Sequence, residues 1–157
     1  MSVLFYWNSF DGGETELYQI LGTTEQNGTE APKLADAARS FGLEAIYRTD
    51  LNVERLRHFL AKGYTIILNI QAWTDEKEPN WSDKWDDGHF VVLVGMDGTR
   101  GYFMDPSLSA GYGYIPLGEL PERWHDYVNN EKVHNIGVLI KGRNPLKTMP
   151  APLARIE

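Results

Sequence analysis

The spacing of apolar positions changes repeatedly along the chain, and each change marks an element. The opening SVLFYW (2–7) is apolar at once, with no capping residue before it. Natural domains usually start on a turn or a cap, so the expectation is a chain that has lost its beginning, with an ordinary first strand or helix as the alternative. NSFDGG breaks that run. In ETELYQIL (14–21) Leu17, Ile20 and Leu21 recur at helical spacing behind acidic first-turn residues. After the turn-rich GTTEQNGTEAP, Pro32 stands where a helix can begin; residues 33–41 put Leu34, Ala37, Ala38 and Phe41 on one face, and Gly42 closes the helix. Leu43, Ala45 and Tyr47 alternate as a short strand. Asn52 then caps a helix whose inner face is Leu56, Phe59 and Leu60 and whose end is Gly63. YTIILNI (64–70) is β-branched and continuously apolar, the pattern of a central strand.

HFVVLVGM and GYFMDP read as a hairpin across DGTR, with Gly98 and Gly101 in the turn. A glycine/tyrosine strand, a short helix around Leu117 to Trp124, and a last strand over 134–140 follow. The pattern predicts one α+β domain over 1–141, with helices packed on a largely antiparallel sheet, and a tail, 142–157, that is peripheral or disordered. The polar segment 71–88 carries Trp73, Trp81 and Trp85. Indoles bury large areas, so this is either a loop pinned to the fold by its aromatics or one that faces a ligand, with Asp87 and Gly88 at its end as further cleft candidates.

Composition narrows the chemistry. With 157 residues and 42% hydrophobic, one domain has room for a core. The 22 acidic residues outnumber the 15 basic ones, and no basic cluster offsets them, which argues against nucleic-acid and anionic-membrane partners. No apolar run reaches the roughly 18 residues that span a bilayer, and no signal peptide precedes the domain, so a cytoplasmic location is expected. The chain has no cysteine, which removes disulfides, cysteine-ligated metals and every thiolate mechanism within these residues. The four histidines lack metal-ligand spacing, His58 and His125 falling on helix-like segments, so no metal is expected. No phosphate-binding glycine loop occurs, and no cofactor is expected.

His89 and Asp105 are the sharpest candidates. His89 opens the first hairpin strand behind Asp86, Asp87 and Gly88, where a strand can fix a ring at the mouth of a cleft; pairing with those aspartates is the plainer alternative. Asp105 precedes Pro106, and DPS is also an ordinary Asx-type turn. A turn centred near 98 and 99 puts His89 opposite Leu108, so the two groups meet only across a bulge or diagonally. A carboxylate that accepts an imidazole N–H orients the ring and stabilises its protonated form.

These segments resemble the C39-like members of the papain-like cysteine peptidases. The likeness is carried by Val3, Leu4, Tyr6 and Trp7, by LGTT (21–24), Gly28 and Thr29 before a helix, AARSFGLEA (37–45), AKGYTIILNI (61–70) and PERWHDY (121–127), and above all by GHFVVLVGMD (88–97) followed by YFMDPS (102–107). The resemblance implies a papain-like fold, His89 as the catalytic histidine and Asp105 as its orienting acid, and a parent activity of peptide-bond hydrolysis. It also implies a nucleophilic cysteine about eight residues before Val3 and an oxyanion-hole glutamine upstream of that. Neither position exists here, and Ser2 is too close to Val3 to replace the cysteine. Three readings follow: a C39-like domain without its N-terminal segment and inactive as a peptidase, a pseudoenzyme that binds a peptide or small ligand, and a non-cysteine hydrolase with His89 as general base. An unrelated α+β domain is the remaining alternative. A groove left by a missing helix start also makes a homodimer an expectation.

Overall fold

The computed structural model describes residues 2–10, 12–24, 28–109, 111–145 and 154–156. The first part is helical: Ser2–Tyr6 (α1), Glu14–Leu21 (α2) and Ala31–Ser40 (α3), then strand Glu44–Arg48 (β1) and helix Val53–Ala61 (α4). Strands dominate the rest: Thr65–Gln71 (β2), Gly88–Met96 (β3), Arg100–Met104 (β4) and Tyr112–Pro116 (β5), then helix Leu120–Arg123 (α5), His125–Val128 (β6), Glu131–His134 (β7), Gly137–Lys141 (β8) and Ala154–Arg155 (β9). A short 3-10 turn, Trp81–Asp83, interrupts the loop between β2 and β3.

Seven strands form one sheet in the order β1-β8-β2-β3-β4-β5-β9, and β6 and β7 make a separate two-stranded ribbon. Every pairing is antiparallel except β5 with β9. Cross-strand partners share a face, so Ile67 and Val92 look one way and Leu68 and Val91 the other. On the first face Val3, Leu4 and Trp7 of the N-terminal segment pack with Leu17, Leu21 and the alanines of α3. Ala31, Ala35 and Ala38 are small enough at helical spacing for α3 to lie close to the sheet. On the second face Leu51, Leu56, Leu120 and Trp124 cover Leu68, Val91 and Phe103.

Two polar links fix the helices. The Trp7 indole donates to Thr65 Oγ1 (3.0 Å), which donates in turn to the Ile140 carbonyl (3.0 Å), tying the end of α1 to β2 and β8. The cap expected at Asn52 is present, its side chain accepting from the Arg55 N–H at 2.8 Å. Gly42 (φ 78°) and Gly63 (φ 83°) adopt the left-handed backbone that ends α3 and α4.

Three local expectations change. The strand read over 134–140 is two pieces: His134 ends β7, and Asn135 (φ 56°) turns the chain before β8 begins at Gly137. His125 opens β6 instead of lying on a helix, because α5 ends at Arg123. The helix read from residue 33 starts at Ala31, with Pro32 inside its first turn. In the tail, β9 runs beside β5, and Ile156 is buried in the second core with its carbonyl accepting from Arg123 Nη1 (3.3 Å); residues 146–153 lie outside the described residues. No described helix is long and apolar enough to cross a membrane.

Gly137 shows how tightly β8 is held. A Cβ there would sit 2.8 Å from Leu51 Cδ1, 3.0 Å from Leu68 Cδ2 and 3.1 Å from the Ile67 carbonyl oxygen, and backbone cannot yield. Gly137→Ala is expected to lower stability by ~1–3 kcal/mol in urea denaturation, the range for overpacking a filled core.

Candidate active site

His89 and Asp105 meet. Nε2 of His89 lies 2.8 Å from Oδ1 of Asp105, with the carboxylate side chain fully buried and the imidazole about one-fifth exposed. Both routes foreseen for their meeting are used. The β3–β4 register shifts between Leu93 and Gly95, leaving Val94 as an extra residue. Continued from Val92 opposite Met104, this register puts His89 across from Ser107, and the bond to Asp105 runs diagonally. His89 pairs with Ile70 on β2 and so shares the face of Val91 and Leu93.

Asp105 both holds the imidazole and builds a turn. Its Oδ1 also accepts the Ser107 N–H at 2.8 Å, its own N–H donates to the Gly111 carbonyl (2.9 Å), and its carbonyl accepts from the Leu108 N–H (3.2 Å). The Asx turn therefore aims the carboxylate at the ring. Burial pushes the Asp105 pKa up, but the hydrogen bonds from His89 and Ser107 outweigh it and hold the carboxyl below its ordinary range. A deprotonated carboxylate at Nε2 assigns the proton of the neutral ring to that nitrogen, which leaves Nδ1 as its acceptor.

Trp73 completes the surround. Its ring meets His89 edge-on at 6.4 Å between centroids, and its indole lies near the Asp105 carboxylate, whose Oδ2 is buried with no hydrogen-bond partner among the described residues. Trp73 holds φ at 64°, a left-handed conformation that costs a bulky residue ~1–2 kcal/mol and that persists only where the surroundings impose it. The other two tryptophans are placed elsewhere. Trp81 is buried beneath the Arg123 guanidinium, 3.9 Å from its ring centroid, and its carbonyl accepts from His125 Nε2 (3.1 Å). Trp85 packs against the ribbon, touching His125, Tyr127 and His134 with Lys132 4.2 Å above it. Asp87 clamps the entry to β3: its N–H donates to Gln71 Oε1 and its carbonyl accepts from Ala72, both at 3.0 Å. Gly88 is exposed, and a side chain there would collide with the Asp126 carboxylate.

Sequence reasoning missed Asp126 and Asn69, which approach one another beside Gly88. The available signal was Asn129–Asn130, both at positive φ (52° and 62°), a turn pair that marks the ribbon carrying Asp126. An apolar cavity of about 210 Å³, lined by Ser2, Leu17, Phe90, Met104 and Pro106 among others, lies on the other face of the sheet, with Ile67 and Val92. Among the described residues no three His, Cys, Asp or Glu side chains converge as a metal site.

Two solved structures share this architecture. A double glycine motif protease from an AMS/PCAT transporter, crystallised with its leader peptide, is 24% identical over 90% of this chain and 79% of its own, with a TM-score of 0.59. A putative C39-like peptidase from Bacillus anthracis is 20% identical over 74% of this chain and 61% of its own, with a TM-score of 0.54. The chain has the C39 peptidase fold. No family model matches it and no curated protein does. The papain-like α+β arrangement expected from the resemblance, helices on a largely antiparallel sheet, is thus found, and this C39-type sheet carries no cysteine.

Because the Asp105 pKa is depressed in the fold, the stability it contributes is complete above the ordinary carboxylate value of about 3.9 and is lost as pH falls through the folded value. Asp105→Asn is expected to lower stability at pH 7 by ~1–3 kcal/mol and to flatten the further loss on acidification, read from urea denaturation at a series of pH values.

Proposed function

We propose that this chain is a C39-type peptide-binding domain in which His89 and Asp105 form the base and orienting acid of a cysteine-peptidase site, and that the 157 residues bind a peptide without cutting it. The observation that carries the reading is a 2.8 Å His89–Asp105 pair, its carboxylate buried, at the hairpin of a C39 fold in a chain without cysteine. In acyl transfer an imidazole takes a proton from a thiol or hydroxyl that then attacks a carbonyl. The base half of that device is assembled here, with Nε2 on Asp105 and Nδ1 left for the nucleophile. Thiolate attack needs a cysteine from outside these residues.

Binding needs only the surface beside His89. The leader peptide seen with the transporter protease supports an extended peptide as the ligand class. The exposed Trp73 edge offers such a peptide a large rigid contact beside His89. The unit that binds is the domain over 1–141 with the β9 residues packed on its sheet.

A peptide ending in a double glycine, titrated into the 157-residue protein and followed by NMR, is expected to shift the His89 and Trp73 side-chain signals and to remain intact on prolonged incubation. Trp73→Ala is expected to weaken binding about tenfold, the loss of ~1.4 kcal/mol typical of an interface aromatic. Cleavage of the peptide by this chain, or shifts confined to residues away from His89 and Trp73, would contradict the proposal.

A further inference from the structure

The β6–β7 ribbon is fastened to the rest of the molecule at His125, a histidine that takes no part in the His89–Asp105 pair. It is 2% exposed, and its cross-strand partner in the ribbon is His134, with 5.4 Å between the ring centroids. Nε2 lies 3.1 Å from the Trp81 carbonyl and 3.0 Å from the Glu122 carbonyl, so it faces two acceptors and must carry a proton. Trp81 belongs to the loop between β2 and β3 and Glu122 to α5; one N–H therefore ties both to the ribbon. Trp85, further along the same loop, packs on the ring at 4.2 Å and also meets His134. The backbone adds another tie. The His125 carbonyl accepts from Gln71 Nε2 (3.0 Å), while Gln71 Oε1 accepts the Asp87 N–H (3.0 Å) at the entry to β3.

The other ring nitrogen has nothing to bond. Nδ1 of His125 is buried and has no hydrogen-bond partner among the described residues. A neutral ring leaves only a dry lone pair there. Protonation turns Nδ1 into a donor without an acceptor and puts a full charge where water is excluded. The surroundings do little to offset that charge. His134 faces the ring from β7, Lys132 lies 4.2 Å from the Trp85 ring centroid, and Arg123 of α5 holds its guanidinium over Trp81. On the loop, Lys84 is paired with Glu76, and Asp86 adjoins Trp85. Glu122 and Asp126 are the acids nearest in sequence; Asp126 favours the charged ring, but burial works against its own charge. Burial pushes the pKa of His125 below its ordinary value and His134 adds to that, against the pull of the two carbonyls and Asp126.

We infer that His125 is a pH-sensitive latch: with a neutral ring it holds the β6–β7 ribbon and the loop between β2 and β3 together, and on taking a second proton it lets them go. A released ring takes up its proton around the ordinary histidine value of about 6.5, whereas the latched ring resists to lower pH. The latch is therefore indifferent to pH above about 6.5 and loses stability as pH falls from there to the value of the latched ring. Release is local, because no strand pairing joins the ribbon to the seven-stranded sheet. The loop it frees carries Trp73 near its start and leads into Gly88 and His89. What release does to peptide binding rests on the reading proposed above; the latch does not.

The test follows the 157-residue protein by NMR from pH 8 to pH 5 with no peptide present, so that its outcome is independent of the peptide reading. It reads the histidine ring signals and the exchange of backbone amides relative to their intrinsic rates. His125 is expected to titrate below the ordinary histidine value, and the ribbon amides, 125–134, to exchange about tenfold faster at pH 5.5 than at pH 7.5 while those between β2 and β8 hold steady. His125→Gln, whose amide still donates to a carbonyl but takes no proton, is expected to remove the pH dependence. His134→Gln, at an exposed position, removes a facing charge; it is expected to raise the His125 titration and reduce the acid effect. Ribbon exchange that does not respond to pH, a His125 ring that titrates at or above its ordinary value, or acid release undiminished in His125→Gln overturns the inference. Should His125→Gln fail to fold, acid release as large in His134→Gln as in the unaltered protein overturns it instead.

Discussion

Val94 is one residue more than β3 needs to pair with β4, and the position of His89 relative to Asp105 depends on it. Without the bulge, the hairpin turn would set His89 opposite Leu108, a residue further from the acid than it now stands. With the bulge, the register beyond Val92 shortens the diagonal until Nε2 and Oδ1 make a 2.8 Å bond. Everything else at the pair serves that contact: β2 holds His89 through its pairing with Ile70, the Asx turn aims the carboxylate, and the strained Trp73 backbone brings an indole against both. A buried carboxylate that loses its imidazole partner keeps its desolvation without the compensating bond, so the two residues are bound to one another energetically as well as in space.

Much of this was legible in the sequence. The period-3.6 apolar faces of α2, α3 and α4, the Asn52 cap, the glycine stops and the continuous apolar run of β2 are local signals, and each produced the element it announced. The meeting of His89 with Asp105 was legible because a hairpin is local enough for its register to be counted. What failed was non-local. The ribbon was hidden because HDYV and EKVH carry little hydrophobic alternation, and their only strong mark is the Asn-Asn turn. Trp73, Trp81 and Trp85 sit within one polar segment, but nothing in their spacing tells which meets His89, which covers Arg123 and which stacks on the ribbon. Asp126 and Asn69 were invisible for the same reason: residues 57 apart in the chain meet only because the ribbon folds back beside β2 and β3.

The alternation of β3 separates two chemistries by a single residue. His89 looks toward one face, where hydrogen bonds outweigh burial and hold the Asp105 carboxylate charged; Gly88 and Phe90 look toward the other, where burial works against charge on Asp126. One strand thus carries an imidazole on one side and the floor of a pocket beside Asp126 on the other. A one-residue slip would exchange the two sets, which is why the register of β3 is fixed so heavily, by β2 along six positions and by β4 on both sides of the bulge.

The ends of the sheet bear on a different property, the tendency of the molecules to grow onto one another. An open strand edge is a template for any extended chain, and growth by edge pairing is the route to fibrils. At one end β1 carries charged Glu44 and Arg48 at its two termini, with Arg48 engaged by Asp50 at 2.8 Å. At the other, two residues of β9 lie along β5, held by the burial of Ile156 and by the Arg123 contact to its carbonyl. So small a cover works as a gatekeeper: peeling it away would bare the β5 backbone beside Tyr112 and Tyr114, turning a local loosening of the last few residues into a nucleus for aggregation.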